Sequence, residues 1–238
     1  MTRMLDLRVR ASDSPYVERV WRSVAAGGPM ASVAGAHQEI VVWGGPGAVR
    51  VEVRGPETRP CTLDVPPGLT AVGIVLAHGT SMPHLPAPTL VDATIACPST
   101  GPRRFVLRGE EWTAPAYDDV EMLVGRLVRG GVLVRDPLVD DVLGGGAPRV
   151  GARSRERRVR AATGLNRRVI HGIERARAAA VLLSEGRTPL DVVGLLDFHD
   201  HPHLAHAMTR FVGRSASGLR ARDVDVSLAY KADAQGRS

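Results

Sequence analysis

The sequence has few aromatic residues, almost no cysteine and no long apolar run. Of the 238 residues, 4% are aromatic and only Cys61 and Cys97 are cysteines. Two thiols so far apart do not make a disulfide framework and favour a reducing compartment. No segment approaches the roughly 18 apolar residues that a membrane-spanning helix needs. The first ten residues lack the apolar core of a secretory signal, so we expect a cytoplasmic protein without membrane association.

The composition that remains is that of an ordinary globular protein. Hydrophobic residues make up 44% of the chain and charged residues 24%. These values exclude collagen-like, wholly disordered and disulfide-scaffold classes. A chain of this length is expected to form one or two domains.

The positive charge is concentrated in the second half of the chain. Residues 1–136 contain 14 basic and 14 acidic side chains, whereas residues 137–238 contain 17 basic and 11 acidic ones, which accounts for the net charge of +6. The segment from Arg149 to Arg177 alone holds ten arginines against two glutamates. This division is typical of a partner-sensing or packing module joined to a module that binds a polyanion.

Short β-branched runs separated by glycine and proline predict strands in the first half. These runs are Glu39–Trp43, Ala48–Val53, Thr62–Val65 and Ala71–Leu76. The segment Gly44–Gly47 predicts the hairpin turn between the first two runs. Two stretches predict helices instead: Tyr16–Val24, because Asp13-Ser14-Pro15 is a helix-start signal, and Asp118–Arg129.

Beyond Asp136 the pattern is helical throughout. Thr188-Pro189-Leu190-Asp191 is a capping box with proline in the first turn, and it predicts a short helix that ends before Asp197. A second helix begins near Pro202, and its apolar residues recur at i, i+3, i+4 and i+7: Leu204, Ala207, Met208 and Phe211. Two short helices with a tight turn and a polar stripe on the second are what a reader of the DNA major groove requires.

The preceding basic segment follows the same scheme. Leu138–Leu143 and Gly151–Ala162 predict a helix pair, and Arg167–Ser184 predicts one long helix whose apolar stripe can pack against both pairs. We therefore predict an α+β protein, with a β-rich N-terminal regulatory domain over 1–136 and a separate all-α C-terminal domain over 137–222. That second domain would hold two helix–turn–helix units joined by a long helix, and residues 223–238 would be a flexible tail.

At these residues the sequence resembles a known family. The segments Arg153–Leu165, Ile173–Leu183 and Asp197–Ser215 resemble the first recognition helix, the linker helix and the second unit of AraC-type transcription regulators. In the first half, Ser12–Trp21, Val53–Thr58, Gly79–Leu85 and Leu133–Pro137 resemble the N-terminal domain of a bacterial subgroup of these regulators, for which the resemblance implies no ligand.

The resemblance implies a sequence-specific regulator that reads successive major grooves and catalyses no reaction. By position, it implies base reading by Arg153, Glu156, Arg157, His201 and His206. Arginine suits guanine, and glutamate can accept from cytosine. Arg160, Thr209 and Arg210 are expected to hold phosphates. Double-stranded DNA is the expected partner, with RNA polymerase and an unidentified small-molecule effector as further candidates, and the protein is expected to be a monomer or a homodimer.

Three departures from the family pattern keep an alternative open. Arg155 stands where a buried leucine is usual, Asp197 where a glycine is usual and His206 where an arginine is frequent. The alternative is a ligand- or partner-binding regulatory protein whose helical half is degenerate and binds DNA without specificity.

Other site types are less well supported by the residues. The string His199-Asp200-His201-Pro202-His203 offers zinc-type ligands, but it falls on the predicted DNA reader, so we predict no metal site and no cofactor. No Gly-x-Ser-x-Gly elbow accompanies the segment from His78 to Ser81, so we predict no hydrolase. An effector pocket in the first half has five candidate lining residues: Trp43, His78, Met82, His84 and Trp112.

Overall fold

The computed structural model describes residues 5–44, 47–146 and 148–220. Its strands are β1 (Leu5–Arg10), β2 (Val17–Ala25), β3 (Gly28–Ser32), β4 (Glu39–Gly44), β5 (Val49–Arg54), β6 (Cys61–Val65), β7 (Thr70–Leu76), β8 (Thr80–Ser81), β9 (Thr94–Cys97), β10 (Ser99–Gly101), β11 (Arg104–Leu107), β12 (Glu110–Thr113) and β13 (Val134–Arg135). The described strand pairs are antiparallel.

A six-stranded sheet organises the first half, in the order β1-β2-β7-β4-β5-β9. The remaining strands form a β10-β11-β12 sheet, a β13-β8 pair and a two-stranded ribbon of β3 and β6. The four β-branched runs of the sequence correspond to β4, β5, β6 and β7, so these strand predictions are confirmed. The predicted turn at Gly44–Gly47 falls partly on residues 45 and 46, which lie outside the described residues.

The predicted helix over Tyr16–Val24 is wrong, because this segment forms β2. It pairs with β1 on one side and with β7 on the other, with Val20 opposite both Arg10 and Ile74. Val17, Val20 and Ser23 are buried. A strand that is bonded on both edges and carries β-branched residues outweighs the local helix-start signal of Asp13-Ser14-Pro15.

Helices occur in both halves of the chain. They are α1 (Ala87–Leu90), α2 (Val120–Arg129), α3 (Pro137–Leu143), α4 (Ala152–Thr163), α5 (Arg167–Ser184), α6 (Pro189–Leu195), α7 (His201–Ala207) and α8 (Ala216–Arg220). A 3₁₀ turn at Tyr117–Asp119 precedes α2, and a π-helical turn at Met208–Val212 continues α7. The predicted flexible tail over 223–238 lies outside the described residues.

The expectation of a separate all-α C-terminal domain is wrong. We call residues 5–136 the β-rich half and residues 137–220 the helical half. The buried apolar cluster of the helical half includes Val33, Ala34 and Ala36 from the β-rich half. The helices therefore do not enclose a core of their own, and the antiparallel strands and the helices form one mixed α and β structure.

Backbone and side-chain hydrogen bonds join the halves at the same place. The N–H of Ala34 donates to the carbonyl of Phe211 at 2.8 Å, and Nε2 of Gln38 donates to the carbonyl of Ala162 at 2.9 Å. Gly164 ends α4 with φ +77° beside the carbonyl of Ala87, where a Cβ atom would lie 2.5 Å from that oxygen. Only glycine combines this backbone conformation with so close an approach.

The β-rich half has its own core on one face of the large sheet. That core joins Ile40, Val53 and Ile74 of the sheet to Leu123 and Leu127 of α2. Cys61 and Cys97 are both free thiols, Cys61 exposed and Cys97 buried. Within the described ranges, no helix is long and apolar enough to cross a membrane.

Candidate functional site

Helix α4 separates an apolar face from a cationic one. Val159 and Ala162 are buried against the rest of the helical half, while Arg153, Arg157 and Arg160 are exposed. These arginines stand at i, i+4 and i+7, so they project from the same side of the helix. Glu156, the remaining predicted reader on this helix, is half-buried.

The three exposed arginines of α4 are not engaged inside the protein. In the described part of the chain, none of them forms an ion pair, a side-chain hydrogen bond or a ring contact. Their neighbour Arg158 differs, because its Nε lies 2.8 Å from Oδ2 of Asp136. The structure thus leaves a row of three unpaired guanidinium groups facing solvent.

Helices α6 and α7 are positioned by strong local signals. The Thr188 hydroxyl and the Asp191 carboxylate form the predicted capping box at the start of α6. Between the helices, Asp197 adopts φ +51°, as expected of a residue in a glycine position. Oδ1 of Asp200 accepts the N–H of His203 at 2.7 Å and caps α7. The chain therefore turns sharply from one helix to the next.

The faces of α7 and its π-helical extension are those predicted from the periodicity. The four predicted apolar residues are all buried: Leu204, Ala207, Met208 and Phe211. The four predicted DNA contacts are all exposed: His201, His206, Thr209 and Arg210. The Arg210 guanidinium lies over the ring of Phe211, 4.8 Å from its centroid.

Helix α5 brings the two helix pairs together. Its buried residues Ile173, Ala176 and Leu183 belong to the same apolar cluster as Val159 of α4 and Leu204 of α7. Helix α5 therefore packs against both α4, with its exposed arginines, and α7, with its exposed polar face.

Arg155 is one of the departures from the family pattern. It is half-buried at the position where a leucine is expected, and its Nε is buried without a hydrogen-bond partner in the described structure.

A cavity of about 90 Å³ lies between the six-stranded sheet and the ribbon of β3 and β6. Trp21 and Trp43 contribute aromatic walls on the sheet side, and Arg177 of α5 reaches its lining from the helical half. Of the five predicted pocket residues, only Trp43 lines this cavity. Met82 and Trp112 belong to the core of the β-rich half, and His84 lies outside the cavity lining.

The polar side of this cavity carries charges of both signs. Arg19, Glu39, Arg54 and Glu57 are among its lining residues. Burial raises the pKa of Glu57, and the nearby Glu39 carboxylate adds to that rise. Oε2 of Glu57 accepts a hydrogen bond from the hydroxyl of Ser32 at 3.1 Å. A small polar ligand with an apolar side would match this lining.

A larger cleft of about 1080 Å³ separates the β-rich half from α3, α5 and α6. His37, His78 and Glu174 lie side by side in its wall. Nε2 of His37 is 3.7 Å, and Nε2 of His78 3.8 Å, from Oε1 of Glu174. The two imidazole rings are stacked, with centroids 3.8 Å apart and planes inclined by 18°.

Both histidines favour the neutral form in this setting. His37 is buried, and burial lowers its pKa well below the ordinary value, with further lowering by His78, Arg19 and Arg177. Burial also lowers the pKa of His78, against the opposing effect of the Glu174 and Asp140 carboxylates. Nδ1 of His37 lies 2.8 Å from the carbonyl of Leu76, which can only accept. The proton of neutral His37 is therefore on Nδ1, and Nε2 keeps a free lone pair.

Sequence reasoning missed this group of side chains. The sequence pattern suggests only a pocket or hydrolase role for His78, and it suggests no site role for His37 or Glu174. Within the described ranges, these three form the one group of at least three His, Cys, Asp or Glu side chains whose donor atoms all lie within 4.8 Å of one another. The string from His199 to His203 does not form such a group. No short sequence motif connects the three residues, so local reasoning had no signal for them.

Comparison of the chain with protein-family models, with curated proteins and with solved structures finds no match. The resemblance to AraC-type regulators thus remains an expectation from the residues.

Proposed function

We propose that this protein is a DNA-binding transcription regulator that contacts duplex DNA through the exposed faces of α4 and α7. The observation that carries the proposal is the row of unpaired Arg153, Arg157 and Arg160 on α4. A row of this kind matches a phosphate backbone and the acceptor edges of guanine. A second exposed polar face, on α7, is held by the same central helix α5.

The proposed contacts divide by chemistry. Arg153 and Arg157 would read guanine O6 and N7 through paired hydrogen bonds, and Glu156 would accept from cytosine N4. His201 and His206 would read bases from α7. Arg160, Thr209 and Arg210 would hold phosphates and set the register of the protein on the duplex.

The proposal includes partners and a location. A bacterial regulator of this type acts in the cytoplasm, binds DNA as a monomer or a homodimer, and has RNA polymerase as a candidate partner. An effector would bind in the β-rich half, in the cavity beside Trp21 and Trp43.

The first experiment is selection of bound genomic fragments by the purified full-length protein, followed by sequencing. Enrichment of a shared sequence over random DNA is the expected result. The affinity for that sequence should fall steeply with salt concentration, because each neutralised phosphate releases counterions. Equal binding to random and genomic fragments would contradict specific reading and support the degenerate alternative.

The second experiment compares three variants on a base-substitution scan of the selected site. Arg157→Ala should cost about 1–3 kcal/mol of binding free energy and relax the preference at one or two base pairs. Arg160→Ala should weaken all sequences about equally and reduce the salt slope by about one. His206→Ala should relax preference roughly 10 base pairs away, in the second groove. A uniform loss in all three variants would rule out direct readout.

The cavity favours a second candidate function, ligand binding without specific DNA recognition. A small molecule that binds there should raise the melting temperature of the full-length protein by mass action. Trp43→Phe should reduce that rise while leaving salt-dependent DNA binding unchanged. If a metabolite screen gives a shift that this variant retains, the ligand binds elsewhere.

A further inference from the structure

We propose that His37, His78 and Glu174 form a binding site for a first-row divalent metal ion of the Zn²⁺ class, which joins helix α5 to the β-rich half. Two imidazole nitrogens and one carboxylate oxygen are a ligand set of catalytic zinc sites, in which a water or another ligand completes the coordination. The open cleft beside the three residues leaves room for that additional ligand.

The spacing of the donor atoms is close to what a metal ion requires. Bonds of about 2.0–2.2 Å place two tetrahedral donors roughly 3.4 Å apart. The observed distances from Oε1 of Glu174 to the two Nε2 atoms are 3.7 and 3.8 Å. These distances are too long for hydrogen bonds. Metal binding would require a contraction of a few tenths of an ångström, together with rotation of the two stacked rings so that both Nε2 lone pairs point at one ion.

The hydrogen bonds around the site also suit metal binding. The bond from Nδ1 of His37 to the carbonyl of Leu76 is the type of outer contact that fixes the tautomer of a metal-ligating histidine, and it leaves the Nε2 lone pair free. Oε1 is the buried oxygen of the half-exposed Glu174 side chain, and within the described residues it has no hydrogen-bond partner. A cation that approached this oxygen would supply the missing partner.

The ligand types, more than the charges near the site, select the kind of ion. Arg19 and Arg177 near His37 oppose a further positive charge, whereas the Asp140 carboxylate near His78 favours it. Because two of the three proposed ligands are imidazoles, an ion bound there has to gain most of its energy from imidazole coordination. Zn²⁺ and similar ions meet this requirement, whereas Mg²⁺ and Ca²⁺, which prefer oxygen ligands, do not.

The test is calorimetric titration of Zn²⁺ into the chelator-treated full-length protein, with Mg²⁺ as the comparison ion. Wild type should bind one equivalent of Zn²⁺ and no Mg²⁺. Co²⁺ in the same site should give the visible absorption of a coordinated ion. Glu174→Gln and His78→Gln should each lower Zn²⁺ affinity at least tenfold, since even loss of an outer hydrogen-bond partner costs that much.

Two control variants remove other potential zinc ligands. His199→Gln changes an exposed histidine of the α7 string, and Cys61→Ser removes the exposed thiol, so both should bind Zn²⁺ like wild type. Circular dichroism identifies any variant that fails to fold. The proposal is overturned if wild type shows no saturable binding, or if folded Glu174→Gln and His78→Gln retain wild-type affinity.

A regulatory consequence rests on the proposed function. Because Glu174 lies on the helix that holds both α4 and α7, a bound ion should tighten DNA binding by wild type and leave Glu174→Gln unaffected. The calorimetry decides the metal site even if the protein binds no DNA, so failure of the proposed function and failure of the metal site are separate outcomes. Zn²⁺ binding without any change in DNA affinity would reject the coupling alone.

Discussion

The two halves of the molecule use arginine differently. In the β-rich half, several arginines bind acidic or aromatic side chains of the same half: Arg10 pairs with Glu121, and Arg126 lies over the ring of Trp112. On α4, Arg153 and Arg157 have no such partner among the described residues. Arg10 and Arg126 therefore contribute to folding, whereas Arg153 and Arg157 remain available to a partner outside the protein.

The two halves also differ in how their cores are completed. All the described strand pairs lie within the β-rich half, and α2 covers its core. The helical half relies on residues of the other half, at Ala34 and Gln38, to complete its core and its hydrogen bonds. A substitution at the junction should therefore lower the free energy of unfolding more than a substitution on the outer surface of the helical half that adds the same backbone strain.

The largest effect is expected at that junction. Gly164→Ala should lower the free energy of unfolding by about 3 kcal/mol, because it adds backbone strain at φ +77° and a clash with the carbonyl of Ala87. Gly186→Ala is the matched control, since Gly186 follows α5 at φ +92° with no atom near its Cβ position. It should cost about 1 kcal/mol. Equal costs in urea denaturation would mean that the close approach at Ala87 contributes nothing.

Alanine substitution of one arginine from each half tests this difference directly. Arg157→Ala should lose about 1–3 kcal/mol of DNA binding and leave the melting temperature unchanged. Arg126→Ala should do the reverse, with DNA binding intact and about 0.5–1 kcal/mol of stability lost with its contact to the Trp112 ring. Thermal melts and binding isotherms on both proteins give the comparison. A loss of stability in Arg157→Ala would show that this arginine contributes to folding after all.

Two helix-cap substitutions should have smaller effects on stability, of opposite sign. Thr188→Ala removes the hydroxyl of the capping box at α6 and should cost about 1 kcal/mol. Gly151 begins α4 without a side-chain cap, so Gly151→Ser should gain a few tenths of a kcal/mol. Denaturant midpoints measure both changes. If Gly151→Ser destabilised the protein, the serine side chain would not act as a cap at the start of α4.

The smallest effect is confined to acid pH. Arg10 and Ser12 donate hydrogen bonds to Glu121 and lower its pKa from 4.5 to about 2. The stabilisation by this carboxylate is complete above about pH 4.5 and is lost as the pH falls toward 2. Glu121→Gln should therefore lose less stability than wild type between pH 7 and pH 3.

Urea midpoints at the two pH values measure this difference. Glu111→Gln serves as a control, because the pKa of Glu111 is also lowered but its carboxylate is fully exposed and screened by solvent. An acid loss in Glu121→Gln as large as that of wild type would show that the contact with Arg10 does not contribute to acid sensitivity.

Much of the local structure could be predicted from the sequence. The bounds of α5 match the predicted Arg167–Ser184, the capping box of α6 is present, and the four apolar residues from Leu204 to Phe211 are buried as their spacing required. Helical hydrogen bonds and caps connect residues three or four positions apart, so the pattern that encodes them can be read from a short segment.

The tertiary structure decided the rest. Tyr16–Val24 carries a helix-start signal, yet it is a strand because β1 and β7 offer backbone partners on both edges. The apolar faces of the helices showed that they need a core, but not that Val33 and Ala36 would supply part of it. His37, His78 and Glu174 come together only where the segments before β4, after β7 and on α5 meet. Contacts between residues this distant in sequence depend on chain topology, which local periodicity and capping do not encode.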